Sequence, residues 1–178
     1  MTALWIVLAV VAVIVIYCVA TVNGFRAKEI KVNESLGGIE VALTKRYDTL
    51  TKLMASASGY MTHEKELFSQ VVSLRHGMTV GEMNQADKKI QEMSGRLFAV
   101  AENYPELRSS QVFMDLQAGI RDAEDQLQAA RRVYNANVTR YNTSIAVFPA
   151  SLLAGKRQPK EFFEAEESKR EDVEIRFS

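Results

Sequence analysis

The chain has 178 residues, enough for one domain of ordinary size. Its 22 basic residues are balanced by 22 acidic ones, so no global positive field is available, and we expect no nucleic-acid partner. Nine glycines and three prolines are few, which favours long uninterrupted elements. The single cysteine, Cys18, excludes a disulfide framework and a cysteine-based metal site within one chain.

An apolar stretch without charged residues runs from Ala3 to Val22. A helix of about 20 apolar residues matches the hydrocarbon core of a bilayer. Trp5 and Tyr17 lie towards its two ends, where amphipathic rings favour the interface. A cleaved signal peptide normally carries Lys or Arg ahead of its apolar run, and neither precedes this one. We therefore interpret it as an uncleaved single-pass membrane anchor.

Three basic residues follow this anchor directly: Arg26, Lys28 and Lys31. The positive-inside rule places them, and the large C-terminal part of the chain, in the cytoplasm. Long domains override this bias in some proteins, so the extracytoplasmic side remains the alternative.

Beyond the anchor, residues of one helix face recur at alternating spacings of four and three, which predicts a long helix with a coiled-coil-like seam. This first seam consists of Ile39, Leu43, Arg46, Leu50, Leu53, Ala57, Tyr60, Glu64, Leu67, Val71 and Leu74. Phe25, Val32 and Leu36 extend it backwards, so we expect the membrane helix to continue into it, with Gly37 and Gly38 as a site for a bend.

Two further helices are predicted after this one. Thr79 and Glu82 have the spacing of a capping box at the start of the second helix, and Pro105 stops it. Its seam is Met83, Ala86, Ile90, Met93, Leu97, Val100 and Tyr104. Ser109 or Ser110 caps the third helix. Its seam is Phe113, Leu116, Ile120, Ala123, Leu127, Ala130, Tyr134, Tyr141 and Phe148.

No stretch shows the alternation of a half-buried strand. The predicted fold is therefore all-α: an N-terminal transmembrane helix followed by an elongated antiparallel bundle of three long helices and short C-terminal helical segments. We divide the chain into an anchor (1–24), a long-helix bundle (25–148) and a C-terminal tail (149–178), where "PKEFFEAEESKRE" is predicted as a short helix.

A seven-residue phrase occurs twice near the end of the third helix, where Tyr134 and Asn135 recur as Tyr141 and Asn142. We favour a packing role, in which the rings are buried and the amides set the register by paired hydrogen bonds. The alternative is a polar binding groove that these four residues form with Arg131.

Charged residues within the seams need partners, because an unpaired buried charge is strongly destabilising. Glu64 falls on the first seam, and Arg131 lies on the flank of the third. If the connector at 104–110 runs extended, the third helix lies parallel to the first, which brings these two residues together. We therefore predict a contact between Glu64 and Arg131.

No catalytic motif is complete. His63 and Glu64 begin like a zinc-protease helix, but that chemistry needs a second His where this chain has Leu67. A Glu-x-x-His pair for a di-iron site, a Gly-x-Ser-x-Gly elbow and a phosphate-binding glycine loop are also missing. We predict no enzyme, no metal and no cofactor; the alternative is a hydrolase whose acid–base pair involves His63 and Glu64.

Several segments have a familiar pattern: "KRYDTLTKL", "SGYMTHEKELFSQVVSLR", "AENYPELRSS", "FMDLQAGIRDAEDQLQAARRVYNANVTRYNTSIAVFP" and "FFEAEE". Together with the anchor, up to about residue 166, they resemble the LemA family of bacterial membrane-anchored proteins. The resemblance implies a helical bundle behind one membrane helix, no established catalytic activity, and an envelope-associated role, since family genes often neighbour those of membrane proteases or other membrane proteins. It also implies the bacterial inner membrane as the location.

The residues that match the family pattern are Arg46, Asp48, His63, Glu64, Arg131, Tyr134, Asn135, Tyr141 and Asn142. The family assigns them no proven chemistry, so we predict a structural or interaction role for them. One departure is that the family usually reads Asp-Leu-Ile-Pro-Asn-Leu where this chain has Asp-Thr-Leu-Thr-Lys-Leu from Asp48 to Leu53. Loss of the proline restores a backbone N–H and removes a kink.

These observations favour a non-enzymatic, membrane-tethered scaffold that docks other membrane or envelope proteins or assembles as a homo-oligomer. One alternative is a small-ligand sensor, in which a groove beside Tyr134 and Asn142 signals through the anchor. Another is an accessory or regulatory subunit of a membrane protease.

Overall fold

The computed structural model describes residues 1–59, 74 and 77–163. Within these residues the regular structure is helical, and no strand occurs. Its elements are α1 (Thr2–Ala57), α2 (Val80–Ala101), α3 (Pro105–Arg108), α4 (Gln111–Ala146) and a 3-10 turn (Ala150–Leu153). The fold is thus the all-α, elongated helical bundle that the sequence predicts.

The apolar N-terminal run and the first bundle helix form one continuous helix, as predicted. The side chains of its first part, up to Val19, are exposed apart from the half-buried Cys18, and α1 is long and apolar enough to cross a membrane. Burial against the bundle begins at Phe25. The helix continues through Gly37 and Gly38, and its 56 residues extend over about 84 Å at 1.5 Å per residue.

The first bundle helix is shorter than its seam predicts. α1 ends at Ala57, and Leu74 lines the same pocket as Leu43 and Tyr47 of α1, a position that a straight continuation of α1 could not reach. A single helix from the anchor through Leu74 is therefore wrong, because a seam spacing can be kept on both sides of a turn. The other seam members after Ala57 lie outside the described residues: Tyr60, Glu64, Leu67 and Val71.

The predicted caps of the next two long helices are confirmed. The Thr79 hydroxyl accepts the Glu82 N–H, and the Glu82 carboxylate accepts the Thr79 N–H, which forms the capping box of α2. Gly77 precedes this cap with φ of 78°, a conformation that costs glycine little. The Ser110 hydroxyl accepts the Phe113 N–H and caps α4.

Helix α2 runs in the same direction as α1. Val80, at the start of α2, lies near Leu36 of α1, and Asp87, further along, contacts Arg46. Residue numbers therefore rise in the same direction along both helices, which are parallel.

Helix α4 runs antiparallel to α1, so the predicted parallel arrangement is wrong. A Cβ added to Gly119 would lie 3.2 Å from the Thr49 methyl, while the Asn137 side-chain amide donates to the Lys31 carbonyl at 3.3 Å. The physical reason is that α2 already runs in the same direction as α1, so the short helix α3, which begins at Pro105 and turns α4 back along α2, also directs α4 against α1.

The three seams meet in one interior. Leu53, Leu97 and Leu127 have no exposed surface and belong to a single apolar cluster. Phe148 was predicted to close the third seam but is 75% exposed. The reason is that α4 ends at Ala146, where the chain leaves helical geometry.

After the 3-10 turn, the described part of the C-terminal tail, up to residue 163, packs back onto the bundle in a non-helical form. Residues 159–163 contain no helix, so this part of the predicted short helix is wrong; the remainder lies outside the described residues. We call 159–163 the strap, because it crosses the end of α4 and contacts it along its length. This position makes it part of the candidate site.

Candidate functional site

Three charged side chains meet in the interior where α1, α2 and α4 face one another. One oxygen of Asp87 accepts from Arg46 Nη1 at 2.6 Å, and the other accepts from Arg131 Nη2. All three side chains are buried. Glu124, which is partly exposed, lies 3.5 Å from Arg46 Nη2 and adds a second carboxylate to the ion cluster.

The ion cluster balances its charges, with two guanidinium groups facing two carboxylates. Such a balance is required, because the removal of one partner from a buried pair leaves a charge in a medium that cannot solvate it. Asp87 uses both oxygens, one for each arginine, so its position depends on the relative placement of three helices. The cluster therefore ties the direction and register of α2 to those of α1 and α4.

Sequence reasoning identified Arg46 and Arg131 but missed Asp87, the residue that joins them. The signal was present, since Asp87 comes four residues after Met83 and three before Ile90, on the same helix face. The predicted partner of Arg131, Glu64, lies outside the described residues, as does His63.

The two asparagines of the repeated phrase hold the strap. The Asn142 amide donates to the Lys160 carbonyl at 2.9 Å and accepts the Lys160 N–H at 2.8 Å. The Asn135 amide makes the same pair with Phe163, at 3.0 and 2.9 Å. Each side-chain amide thus makes the two hydrogen bonds that a neighbouring β-strand would make with an extended backbone.

The spacing of the phrase matches the spacing of the strap. Asn135 and Asn142 are seven residues apart on α4, which corresponds to about 10.5 Å of helix. Lys160 and Phe163 are three residues apart, which corresponds to about 10 Å of extended chain. A repeat of one heptad therefore places successive amides against every third residue of an extended segment.

Tyr134 adds a hydrogen bond between the two asparagine pairs. Its hydroxyl donates to the Glu161 carbonyl at 2.9 Å, and its ring is buried. Burial raises the pKa of Tyr134, and the negative charge of Glu161 raises this pKa further. The hydroxyl therefore remains a proton donor at neutral pH.

The ends of the strap are anchored by cations and rings. The Arg131 guanidinium lies 4.9 Å from the centre of the Phe163 ring, so the strap covers the ion cluster. The Lys160 ammonium lies 5.9 Å from the Tyr141 ring centre and 3.0 Å from the Glu29 carboxylate of α1. The strap thus connects α4 to α1 as well as to the cluster.

Five of the predicted residues therefore form one surface, which we call the cradle: Arg131, Tyr134, Asn135, Tyr141 and Asn142. The paired hydrogen bonds expected of the asparagines are present, but they are made to an extended segment instead of to another helix. The groove of the alternative interpretation is occupied by the chain itself. Asp48 lies elsewhere, exposed on the outer face of α1.

A cavity of about 570 Å³ lies between the strap, α1 and the start of α2. Apolar side chains of Val32, Leu36 and Val80 line it, together with Tyr134 and Tyr141 from the cradle. Elsewhere in the described parts of the chain, no group of three or more His, Cys, Asp or Glu side chains is placed to hold a metal ion.

The LemA family model matches residues 35–177, a region that contains the ion cluster, the cradle and the strap. The chain belongs to the LemA family. Protein LemA of Metamycoplasma hominis is 28% identical over 143 residues, which cover 76% of this chain and 65% of that protein.

Two further relatives of this LemA-family chain are magnetosome proteins. MamQ of Magnetospirillum gryphiswaldense is 33% identical over 60 residues, 34% of this chain and 22% of that protein. MamQ 2 of Paramagnetospirillum magneticum is 35% identical over 60 residues, with the same coverage of 34% and 22%. The alignments thus span less than two-thirds of the length of each of these relatives, and none of their names denotes an enzymatic activity.

Proposed function

We propose that this LemA-family protein is a non-enzymatic, membrane-tethered scaffold that docks other membrane proteins of the bacterial envelope. The observation that carries the proposal is the continuity of α1, in which the apolar run and the rod of the bundle are one helix. From Val22 to Ala57 this rod extends for about 50 Å. A bundle built on it has a defined height above the bilayer.

The use of the polar residues supports a structural role over a chemical one. Arg46, Asp87 and Arg131 engage one another, and Asn135 and Asn142 engage the strap backbone. A reaction centre needs groups that are free to meet a substrate. These side chains instead hold the helices and the strap in one arrangement.

The outer face of α1 is the surface that we propose for partner docking. An open groove of about 820 Å³ runs along it, lined by Val41, Thr44, Asp48 and Lys52 among others. Val41 is 71% exposed, so an apolar side chain lies between charged ones. A central apolar residue with a polar rim is a common arrangement in protein interfaces. The partner is another membrane protein or a second copy of this chain. If it is a membrane protease, this protein would be an accessory or regulatory subunit of that protease.

Site-specific photo-cross-linking in native membranes tests this proposal. A photoreactive residue at Val41 is expected to give a covalent adduct of one defined mass, whereas the same residue at Val133, 57% exposed on α4, is the matched control. Charge reversal at Asp48 and Lys52 should reduce the Val41 adduct. Recovery of the uncross-linked monomer from both positions would count against a scaffold.

We further propose that the bundle faces the cytoplasm, because Arg26, Lys28 and Lys31 follow the apolar run. A cysteine placed at exposed Ser109 in a Cys18→Ala background would report this. Labelling by a membrane-impermeant maleimide in intact cells would instead place the bundle outside.

A small-ligand sensor is the second candidate, and the cavity beneath the strap favours it. Its volume of about 570 Å³ lies within the range of about 300–1,000 Å³ typical of small-molecule sites. Val80→Phe should fill this space. If the protein is a sensor, a fractionated metabolite extract should raise the thermal stability of the unmodified protein but not of the Val80→Phe variant. If it is a scaffold, the extract should stabilise neither protein, and the Val80→Phe variant should still form the Val41 adduct.

A further inference from the structure

We propose that the turn after α4, residues 147–152, is a second membrane-contact element that lies in the lipid interface beside the anchor. We call it the interfacial turn. The inference rests on the membrane anchoring proposed above. Its occupant is the bilayer, at the boundary between acyl chains and headgroups.

The first argument is the position of the turn. Val147 and Ala150 line the same groove as Tyr17, Ala20 and Thr21 of α1. The antiparallel packing of α1 and α4 brings the C-terminal end of α4 beside the apolar run, because α4 residues of rising number meet α1 residues of falling number. Since the apolar run ends at Val22, the turn lies level with its last helical turn.

The second argument is the exposure of the side chains. Phe148 is 75% exposed, Leu152 is 76% exposed and Val147 is 53% exposed. Apolar surface of this kind is unfavourable in water and favourable in the outer acyl region of a bilayer. Exposed apolar residues elsewhere on α4, such as Val112 and Val133, occur singly on a helix face and do not form such a cluster.

The third argument is the charge beside the turn. Arg26 and Lys28 follow the apolar run on α1, Arg140 is exposed on the last turns of α4, and Lys156 follows the 3-10 turn. The Arg157 guanidinium lies 5.2 Å from the centre of the Phe25 ring. Lys28 and Arg140 line the same groove as Val147 and Ala150, and cations beside apolar side chains suit a layer of lipid phosphates above acyl chains.

The consequence is a two-point contact with the membrane. A single membrane helix leaves the bundle free to tilt relative to the bilayer normal. A turn inserted at one side of that helix restricts this tilt, because tilting away from that side would lift Phe148 and Leu152 out of the lipid. The proposed docking face on α1 would then have a constant orientation relative to the membrane plane.

Tryptophan fluorescence of the full chain, reconstituted in vesicles of phosphatidylcholine and phosphatidylglycerol, tests the inference. The protein has a single tryptophan, Trp5, which reports on the anchor itself. In a Trp5→Phe background, Phe148→Trp and Leu152→Trp report on the turn. Val133→Trp, about 20 Å along α4 from the turn, is the control.

Both turn reporters are expected to emit at shorter wavelength than the Val133 reporter. They should also lose intensity to lipids brominated on the acyl chains and be protected from aqueous iodide. One contrary outcome is that both turn reporters match the Val133 reporter, while brominated lipid quenches Trp5 in the unmodified chain. In that case the interfacial turn is wrong, but the membrane anchoring of α1 is retained. If Trp5 also escapes quenching, both proposals fall.

Discussion

The ion cluster and the cradle lie side by side and share Arg131, yet they stabilise the fold through different kinds of interaction. Asp87 joins two buried guanidinium groups from different helices. Asn135 and Asn142 make neutral hydrogen bonds to an extended backbone at the end of the described chain. The first contact depends on the whole bundle, whereas the second depends on α4 alone.

Because of this difference, we expect mutations at the two sites to affect stability in different ways. Loss of a partner from the cluster leaves buried charge, so the cost falls on global stability. Loss of a cradle amide frees a short segment whose backbone groups regain water, so the cost is local. The first two experiments below separate these two behaviours, and two further ones test smaller effects.

The largest effect is expected for Asp87→Ala. This change leaves Arg46 and Arg131 buried without the carboxylate between them and should lower the free energy of unfolding by about 3–5 kcal/mol. Denaturant titration of the full chain in detergent micelles measures it. Asp87→Asn keeps the size and should cost nearly as much if charge is the cause.

Ser94→Ala is the matched control on the same helix. Ser94 is also buried, but its hydroxyl only donates to the Ile90 carbonyl, at 2.9 Å within α2. We expect a loss of about 1 kcal/mol or less for a neutral hydrogen bond of this kind. Equal effects of Asp87→Ala and Ser94→Ala would contradict a special role for the ion cluster.

A local effect is expected for Asn142→Ala and Asn135→Ala. Each removes two hydrogen bonds to the strap and should weaken its docking by about 1–3 kcal/mol. Hydrogen exchange should become faster at the Lys160 amide in the first variant and at the Phe163 amide in the second, while the global unfolding midpoint changes little.

Asn137→Ala provides the control for the asparagine variants. Its amide donates at 3.3 Å to the Lys31 carbonyl on α1 and does not contact the strap. Exchange at Lys160 and Phe163 should therefore remain as in the unmodified protein. Faster exchange at both positions in this variant would mean that the strap responds to helix packing and not to its own hydrogen bonds.

A smaller effect, confined to alkaline pH, is expected from Tyr134. Because its pKa is raised in the folded state, the folded protein keeps this proton longer than the unfolded chain. Its contribution to stability is therefore full below the ordinary pKa of 10.0 and is lost as pH rises through the folded value. Ultraviolet difference absorbance of tyrosinate, with Tyr134→Phe subtracted, should show a group with a pKa above the ordinary tyrosine value of 10.0. An ordinary pKa for Tyr134 would contradict its buried position.

The smallest effect is expected at the surface pair of Lys45 and Asp122, which are 2.8 Å apart and exposed. The hydrogen bond and the charge of Lys45 lower the pKa of Asp122. Its contribution is present above the unfolded pKa near 3.8 and is lost as pH falls through the folded value. Carboxyl NMR titration should show the pKa of Asp122 returning towards 3.8 in Lys45→Ala, with little change in stability because exposed pairs are screened by water and salt.

Local patterns in the sequence predict much of the bundle. Leu53, Leu97 and Leu127 were placed in the interior from spacing alone, because a helix presents every third or fourth residue to the same side. The Thr79 and Glu82 cap could be predicted for a similar reason, since a capping box joins residues only three positions apart. Phe148 shows the limit, because the spacing continued beyond the residue at which the helix ended.

The candidate site was predicted only in part. The repeated Tyr-Asn phrase was recognised and its paired hydrogen bonds were expected, but the occupant of the cradle was not. Nothing in residues 159–163 marks them as an extended partner of α4, because their residue types are compatible with a helix. Asp87 was missed because the second seam was followed from Met83 through Ala86, the apolar neighbour of Asp87, to Ile90.

What the amino-acid sequence determined by itself is the apolar N-terminal run, the periodic faces of the helices and the caps at which α2 and α4 begin. These features depend on residues within one or two helical turns of each other, where spacing and side-chain chemistry are sufficient. Three features depend instead on tertiary packing: α4 runs antiparallel to α1, Asp87 joins Arg46 to Arg131, and the strap fills the cradle. These contacts connect residues from 18 to more than 100 positions apart, and their energy depends on which helices meet.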